Sequence, residues 1–227
     1  MKLSRIFRWN KKRKSAAPYY WEYYNRTHFV ADRIRKLGPA AQGRVLDVGG
    51  TAKDNLLEKF GIRNVTSLNI DSDCDVVASG HKLPFDDRTF ECVTCIDTLE
   101  HIPRELRLAV TRELVRVAGK AVFIVAPADT EENNRTEDIV LKYLGTCAFL
   151  KEHRRQGLVD FDEIKRGVEE MKKSGQVASI EEDDLDDLMS WAAMMIGNKV
   201  DVSDLYQELF FLENKFLPKR KALSIYL

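Results

Sequence analysis

The chain alternates short apolar runs with longer segments whose apolar residues recur every three to four positions. RVLDV (44–48) is an apolar run broken by Gly49-Gly50, the pattern of a buried strand feeding a tight turn. NVTSLNI (64–70), the shorter CDVVAS (74–79), FECVTCI (90–96) and KAVFIVA (120–126) predict four further strands. A helix is expected over 54–60, closing near Gly61, and another follows the fourth strand to about Val117. An N-terminal helix opens on the aromatic cluster Tyr19, Tyr20, Trp21, Tyr23 and Tyr24, runs to about Leu37 and stops at Gly38-Pro39. Five aromatics within six residues exceed what one helical stripe can bury, so this cluster is expected to fold over a cleft as a lid.

From Pro127 onward, helical segments with charged faces dominate to about Phe216. QVASI (176–180) and ALSIYL (222–227) predict strands that complete the sheet edge in antiparallel fashion. Strands alternating with helices at this spacing predict an α/β fold, a parallel sheet with helices on both faces. The expected organisation is a basic arm over 1–17, an α/β core over 18–127, and a helical C-terminal cap with sheet completion over 128–227.

Composition narrows the range of partners. A chain of 227 residues, 44% hydrophobic, suits one α/β core with an appendage. Its 36 basic and 36 acidic residues cancel, so nothing global calls for nucleic acid. Locally the charge is uneven. Residues 1–14 hold seven Lys/Arg and no acid, which reads as a solvated basic arm or, with Leu3, Ile6, Phe7 and Trp9, as a contact with an anionic membrane surface. Residues 181–187, EEDDLDD, hold six acids and are expected to be a solvated helix start rather than a metal site. No apolar stretch reaches eighteen residues and no apolar segment follows the N-terminal basic residues, so neither a membrane span nor a secretory signal is expected. Four cysteines fit a reducing cytoplasm. Cys92 and Cys95, three apart on a strand, should point to opposite faces and so form neither a metal clamp nor a redox pair. No cluster along the chain has metal-ligand spacing, so no metal is expected.

The turn after the first predicted strand carries chemistry. In an open parallel sheet, ligands lie outside the carboxyl ends of the strands. Gly49 and Gly50 let the backbone approach a ligand closely. Asp47 would repel a pyrophosphate against the same turn and attract an ammonium group. GGTAKD also lacks the G-x-G-x-x-G of a nicotinamide-binding turn.

VLDVGG, SLNIDSD, DVVASGHKLPFDDRTFECV and CIDTLEHIP follow one another across residues 44–127. In that order they resemble the motifs of class I S-adenosylmethionine-dependent methyltransferases, and more narrowly of type 11-like members associated with surface-glycan gene sets. LKEHRRQGLVDFDEI is similar, more loosely, to a C-terminal segment of the same group. The resemblance implies a Rossmann-like seven-stranded methyltransferase sheet and S-adenosylmethionine as cofactor. It places the methionine end at Asp47, Gly49 and Gly50, the ribose at Asp71 or, two residues earlier, Asn69, and the adenine at Ser79, Gly80 and His81. Asp97, Glu100 and His101 would run beside the sulfonium, and Glu152 and His153 would border the acceptor pocket. Thr51 and Lys53 stand where the family has its second and third glycines, and Ser79 where it has an acid. The implied activity is methyl transfer, on oxygen, to a small-molecule or glycan acceptor, with Asp97, His101 and His153 as candidate bases near neutral pH. A noncatalytic methyltransferase-like binding module is the alternative. The location implied is cytoplasmic, with the basic arm reaching the inner face of the membrane.

Overall fold

A computed structural model describes residues 21–53, 55–71, 73–196 and 218–227. The basic arm, Tyr19, Tyr20 and the segment 197–217 lie outside these, and with them most of the expected lid. The chain runs α1 (Trp21–Lys36), β1 (Val45–Val48), α2 (Leu56–Lys59), β2 (Val65–Asn69), β3 (Val76–Val77), β4 (Phe90–Ile96), α3 (Arg104–Val117), β5 (Ala118–Pro127), α4 (Glu131–Leu144), α5 (Ala148–Gln156), α6 (Phe161–Lys173), β6 (Ser179–Asp187), α7 (Leu188–Ile196) and β7 (Pro218–Tyr226).

Seven strands form one sheet in the order β3-β2-β1-β4-β5-β7-β6. The first five are parallel, and β7 is antiparallel to both β5 and β6. All four residues of β1 are buried, as befits a strand covered on both faces. Alternation divides the core in two. Val93 and Cys95 of β4 and Val122, Ile124 and Ala126 of β5 face α3 and α6. Cys92, Ala121, Phe123 and Val125 face α1 and α2. Cys92 and Cys95 therefore do lie on opposite faces. A third cluster, around Val140, Leu150, Leu188 and Trp191, joins α4, α5 and α7 beyond the sheet.

Several expected boundaries shift. The acidic run is not a helix start: Glu181–Asp187 belongs to β6, which pairs with β7 from Ser179↔Tyr226 to Asp187↔Pro218. Only Ser179 and Ile180 of the strand expected over 176–180 belong to it. The acids suit an edge strand, where charge discourages pairing with another chain. They are also met by bases from the neighbouring layers. Arg33 of α1 reaches Glu181 at 2.5 Å and Asp183 at 2.6 Å, and Lys165 of α6 reaches Glu182 at 2.7 Å. The third strand shrinks to Val76–Val77, and α2 to Leu56–Lys59, capped by Asn55, whose side chain accepts from Leu57 N at 3.0 Å. Glu100 and His101 lie on a 3₁₀ turn, Leu99–His101, and α3 begins only after Pro103.

Strand order reverses between β1 and β4, since β1 pairs with β2 on one side and β4 on the other. The crevice outside their carboxyl ends is where the fold offers a ligand site.

Candidate functional site

The turn after β1 is built by three local contacts. Gly49 has φ +87, a conformation that costs a side chain energy, and its N–H donates to Leu68 O at 2.7 Å. A Cβ on Gly49 would lie 2.0 Å from Thr98 Oγ1, and one on Gly50 would lie 2.1 Å from Asp47 Oδ2. The Asn69 amide donates to Gly49 O at 3.0 Å and Gly50 O at 3.3 Å, clamping the turn to the end of β2.

A cleft of about 590 Å³ opens on this turn. Gly49, Asn69, Asp71, Ser79, Gly80 and His81 line it. Asp97, His101 and Glu152 also line it. The structure thus brings together most of the residues that the sequence nominated for a cofactor. Ser79 Oγ and His81 Nδ1 bond each other at 2.7 Å. Asp47 and Gly50 sit apart, lining a smaller pocket of about 200 Å³ that touches the cleft at Gly49. Asp47 is buried, accepts from Thr94 Oγ1 at 2.7 Å and Asn55 Nδ2 at 2.9 Å, and its carboxyl is pushed up by burial beyond what those bonds recover.

A second cavity, about 420 Å³, adjoins the cleft and shares Gly49, Asp97 and His101 with it. Phe149, Trp191, Met194 and Met195 supply its apolar wall. Glu100, His153 and three bases, Arg26, Lys219 and Arg220, supply the polar one.

Asp97 stands at the junction, at the end of β4, with φ 43, a left-handed conformation uncommon outside glycine. Arg220 binds it through two N–H···O contacts at 2.8 and 2.9 Å, and Arg26 approaches at 2.8 Å. Burial pushes the carboxyl up, but the Arg220 and Arg26 charges outweigh it and hold it at about 2. Asp97 therefore has the position expected of a base and the wrong proton affinity. A carboxylate so tightly paired takes no proton near neutrality, and its work is to anchor two guanidiniums. Glu100 is the opposite case. It is 1% exposed, one carboxylate oxygen has no hydrogen-bond partner, and burial together with the nearby Asp97 charge pushes it up to about 8.

His101 and His153 are 5.2 Å apart between ring centroids. His101 Nδ1 meets Glu152 at 2.9 Å, and His153 Nδ1 meets Glu137 at 3.0 Å. Glu137 is also paired with the fully buried Lys219, whose ammonium lies 4.1 Å from the Trp191 ring centroid and bonds Asn133 Oδ1 at 2.9 Å. Burial favours the neutral form of Glu137, but Lys219 and His153 hold its carboxyl below the usual range. The end of α5 that carries His153 is fastened by Arg107 of α3, which donates to Gln156 O at 3.0 Å and Leu158 O at 2.7 Å.

Sequence reasoning missed Arg26, Lys219, Arg220, Trp191 and Glu137. The one signal in the chain was the Lys219-Arg220-Lys221 run inside an otherwise apolar C-terminal strand. On β7, between β5 and β6, two of those cations are buried.

Residues 44–125 match the family model described as Methyltransferase domain. No curated protein matches the chain. A SAM-dependent methyltransferase from Archaeoglobus fulgidus is similar in structure, with TM-score 0.53 at 16% identity over 88% of this chain and 94% of that one. The YcgJ protein from Bacillus subtilis gives 0.51 at 15% identity over 88% and 97%. The plantazolicin methyltransferase BpumL, solved in complex with SAH, gives 0.53 at 10% identity over 90% and 83%. At these identities the likeness is one of fold, and it extends well beyond the matched segment. Residues 44–125 are thus similar to a methyltransferase domain, and the chain shares the fold of these structures.

Proposed function

We propose that this methyltransferase-domain enzyme transfers a methyl group from S-adenosylmethionine to a hydroxyl of a small-molecule or glycan acceptor. The carrying observation is that two clefts, one bordered by the nominated cofactor residues and one by cations, histidines and apolar side chains, meet at Gly49, Asp97 and His101.

The residues present fit the cofactor. Gly49 borders the cleft, so its backbone can meet the methionine moiety there, while the missing side chains of Gly49 and Gly50 let Thr98 and Asp47 pack against the turn. Asp71, exposed at the cleft edge, is free to bind ribose hydroxyls, whereas the Asn69 amide is already spent on the turn. Ser79 and His81 border the part of the cleft left for adenine. When bound, the cofactor supplies a methyl already activated on sulfur, so the protein's tasks are alignment and exclusion of water.

The acceptor cavity, about 420 Å³, lies in the roughly 300–1,000 Å³ range of small-ligand pockets. Phe149, Met194 and Met195 give it an apolar wall against which an acceptor can pack. Asp97 locks Arg26 and Arg220 in place between the two clefts. Glu100, His101 and His153 border the same cavity and are the groups placed to meet the acceptor hydroxyl. The basic residues 1–14 are assigned to an anionic membrane surface or a lipid-linked acceptor. Among the described residues no helix is long and apolar enough to cross a membrane.

The test offers labelled S-adenosylmethionine with a panel of sugar nucleotides, lipid-linked glycans, small phenols, RNA and protein extract. Label in a sugar or phenol fraction, lost in His101→Ala, supports the reading. Label confined to RNA or protein overturns the acceptor class, and tight cofactor binding with no transfer to any acceptor favours the noncatalytic alternative.

A further inference from the structure

We propose that Glu100, His101 and His153 form a divalent-cation site at the seam between the two clefts, and that the cation grips an acceptor carrying two neighbouring hydroxyls. The proposal rests on the methyl-transfer reading for its acceptor, but the site itself stands on independent observations.

One potential ligand atom from each of the three residues lies within 4.8 Å of the others. Bonds of about 2.0–2.2 Å to nitrogen and oxygen place ligand atoms roughly 3–4 Å apart around an ion, so closure asks for side-chain shifts of under about 1 Å. Linear spacing hid this set, because two members are adjacent and the third is on α5.

The second observation concerns which atoms are already taken. Both imidazoles use Nδ1 on a carboxylate, His101 on Glu152 and His153 on Glu137. That leaves Nε2 of each ring for a ligand and fixes each ring's orientation, the arrangement found behind metal-binding histidines. Glu137 is itself held by Lys219, so the support extends one layer further.

The third observation is Glu100. A buried carboxylate oxygen with no partner is expensive and rare in a native interior. Glu100 lines the same cavity as the two histidines, and a cation held between the three would satisfy it. The nearby bases have carboxylate partners of their own, Arg26 and Arg220 in Asp97 and Lys219 in Glu137, although the charges of Arg220 and Arg26 also reach Glu100. Two imidazoles and one carboxylate suit zinc, manganese, cobalt or iron(II) better than magnesium. Three protein ligands leave positions open for substrate oxygens.

The chemistry balances without any redox partner. Coordination lowers the pKa of a bound hydroxyl, as it does for zinc-bound water, which falls to about 7. The acceptor O–H bond breaks and its proton leaves to solvent. The oxygen pair forms the new O–C bond, the C–S bond breaks, and its electrons stay on sulfur as a neutral thioether. A second, adjacent hydroxyl on the ion fixes which oxygen faces the methyl, so the acceptor class is a vicinal diol, as in a sugar, or a catechol.

The full-length protein, stripped with chelator, is titrated with Co²⁺ and followed by visible absorption, with Mn²⁺ binding followed by calorimetry. One tight cation per chain is expected, with affinity falling about tenfold or more in both Glu100→Gln and His153→Gln. Circular dichroism establishes that each variant is folded, and S-adenosylmethionine binding, titrated separately, should be unchanged because neither residue borders the cofactor cleft. No cobalt bands from folded parent protein, or affinity equal in parent and both variants, overturns the site. Cofactor binding without cation binding overturns the site alone, whereas cation binding without cofactor binding supports the site and overturns the methyl-transfer reading.

Discussion

Replacing Asp97 by Asn isolates the electrostatics at the junction of the two clefts. Asn is nearly the same size and tolerates the left-handed backbone, φ 43, that Asp97 adopts, so the change removes charge with little added strain. The carboxylate meets Arg220 at 2.8 and 2.9 Å and Arg26 at 2.8 Å, with all three side chains at or below 16% exposure. Breaking a buried pair by removing one partner costs about 3–5 kcal/mol. Arg220 keeps Asp186 at 3.2 Å, so the lower end, about 3 kcal/mol, is expected. The proton affinity gives an independent figure. A carboxyl held at about 2 rather than 3.8 corresponds to about 2 kcal/mol. Because the folded-state value is the lower one, this stabilisation is fully present above the unfolded-state pKa and is lost as pH falls through about 2. Urea unfolding of parent and variant should therefore differ by about 3 kcal/mol at neutral pH, and the gap should narrow as the solution is acidified toward pH 2. Equal stabilities at neutral pH, or a gap that does not change with acid, would refute the reasoning.

Three further outcomes are expected. Gly49→Ala puts a Cβ within 2.0 Å of Thr98 Oγ1 at φ +87, so it should lower the midpoint of thermal unfolding by the equivalent of about 1–3 kcal/mol and weaken cofactor binding; unchanged values for both would mean that the turn does not face the ligand. Asp71→Ala should weaken S-adenosylmethionine binding by about 1.5–3 kcal/mol in calorimetry, and an unchanged affinity would overturn the assignment of Asp71 to the ribose. Arg33→Ala removes partly exposed ion pairs to Glu181 and Asp183 and should cost less than about 1 kcal/mol in denaturant unfolding, with high salt removing part of the difference.

What could be read from the chain followed physical rules, and so did what could not. β1, β4 and β5 were legible because a parallel strand buried on both faces is a continuous apolar run. β6 was not, because a strand at the sheet edge pairs on one side only and can carry charge at nearly every position; EEDDLDD has no apolar face to betray it. β3 was overestimated because only Val76 and Val77 of its apolar run find ladder partners on β2. The cofactor side of the site was readable, since Gly49, Asn69 and Ser79 follow strand ends in chain order. The acceptor side was not. Its Glu100–His153 and Asp97–Arg220 associations join residues far apart in sequence, and α5 and β7 meet the end of β4 only in the folded chain. Glu137 and Lys219 look like ordinary surface residues until α4 and β7 bury them against each other.

The most direct test of the central claim is a calorimetric titration of the full-length protein with S-adenosylmethionine. The two-cleft account predicts saturable binding of one cofactor per chain, weakened in Gly49→Ala and Asp71→Ala and unaltered in Arg33→Ala, whose ion pairs lie on the far edge of the sheet. Absence of binding by folded parent protein, or binding that ignores Gly49→Ala and Asp71→Ala alike, would contradict it.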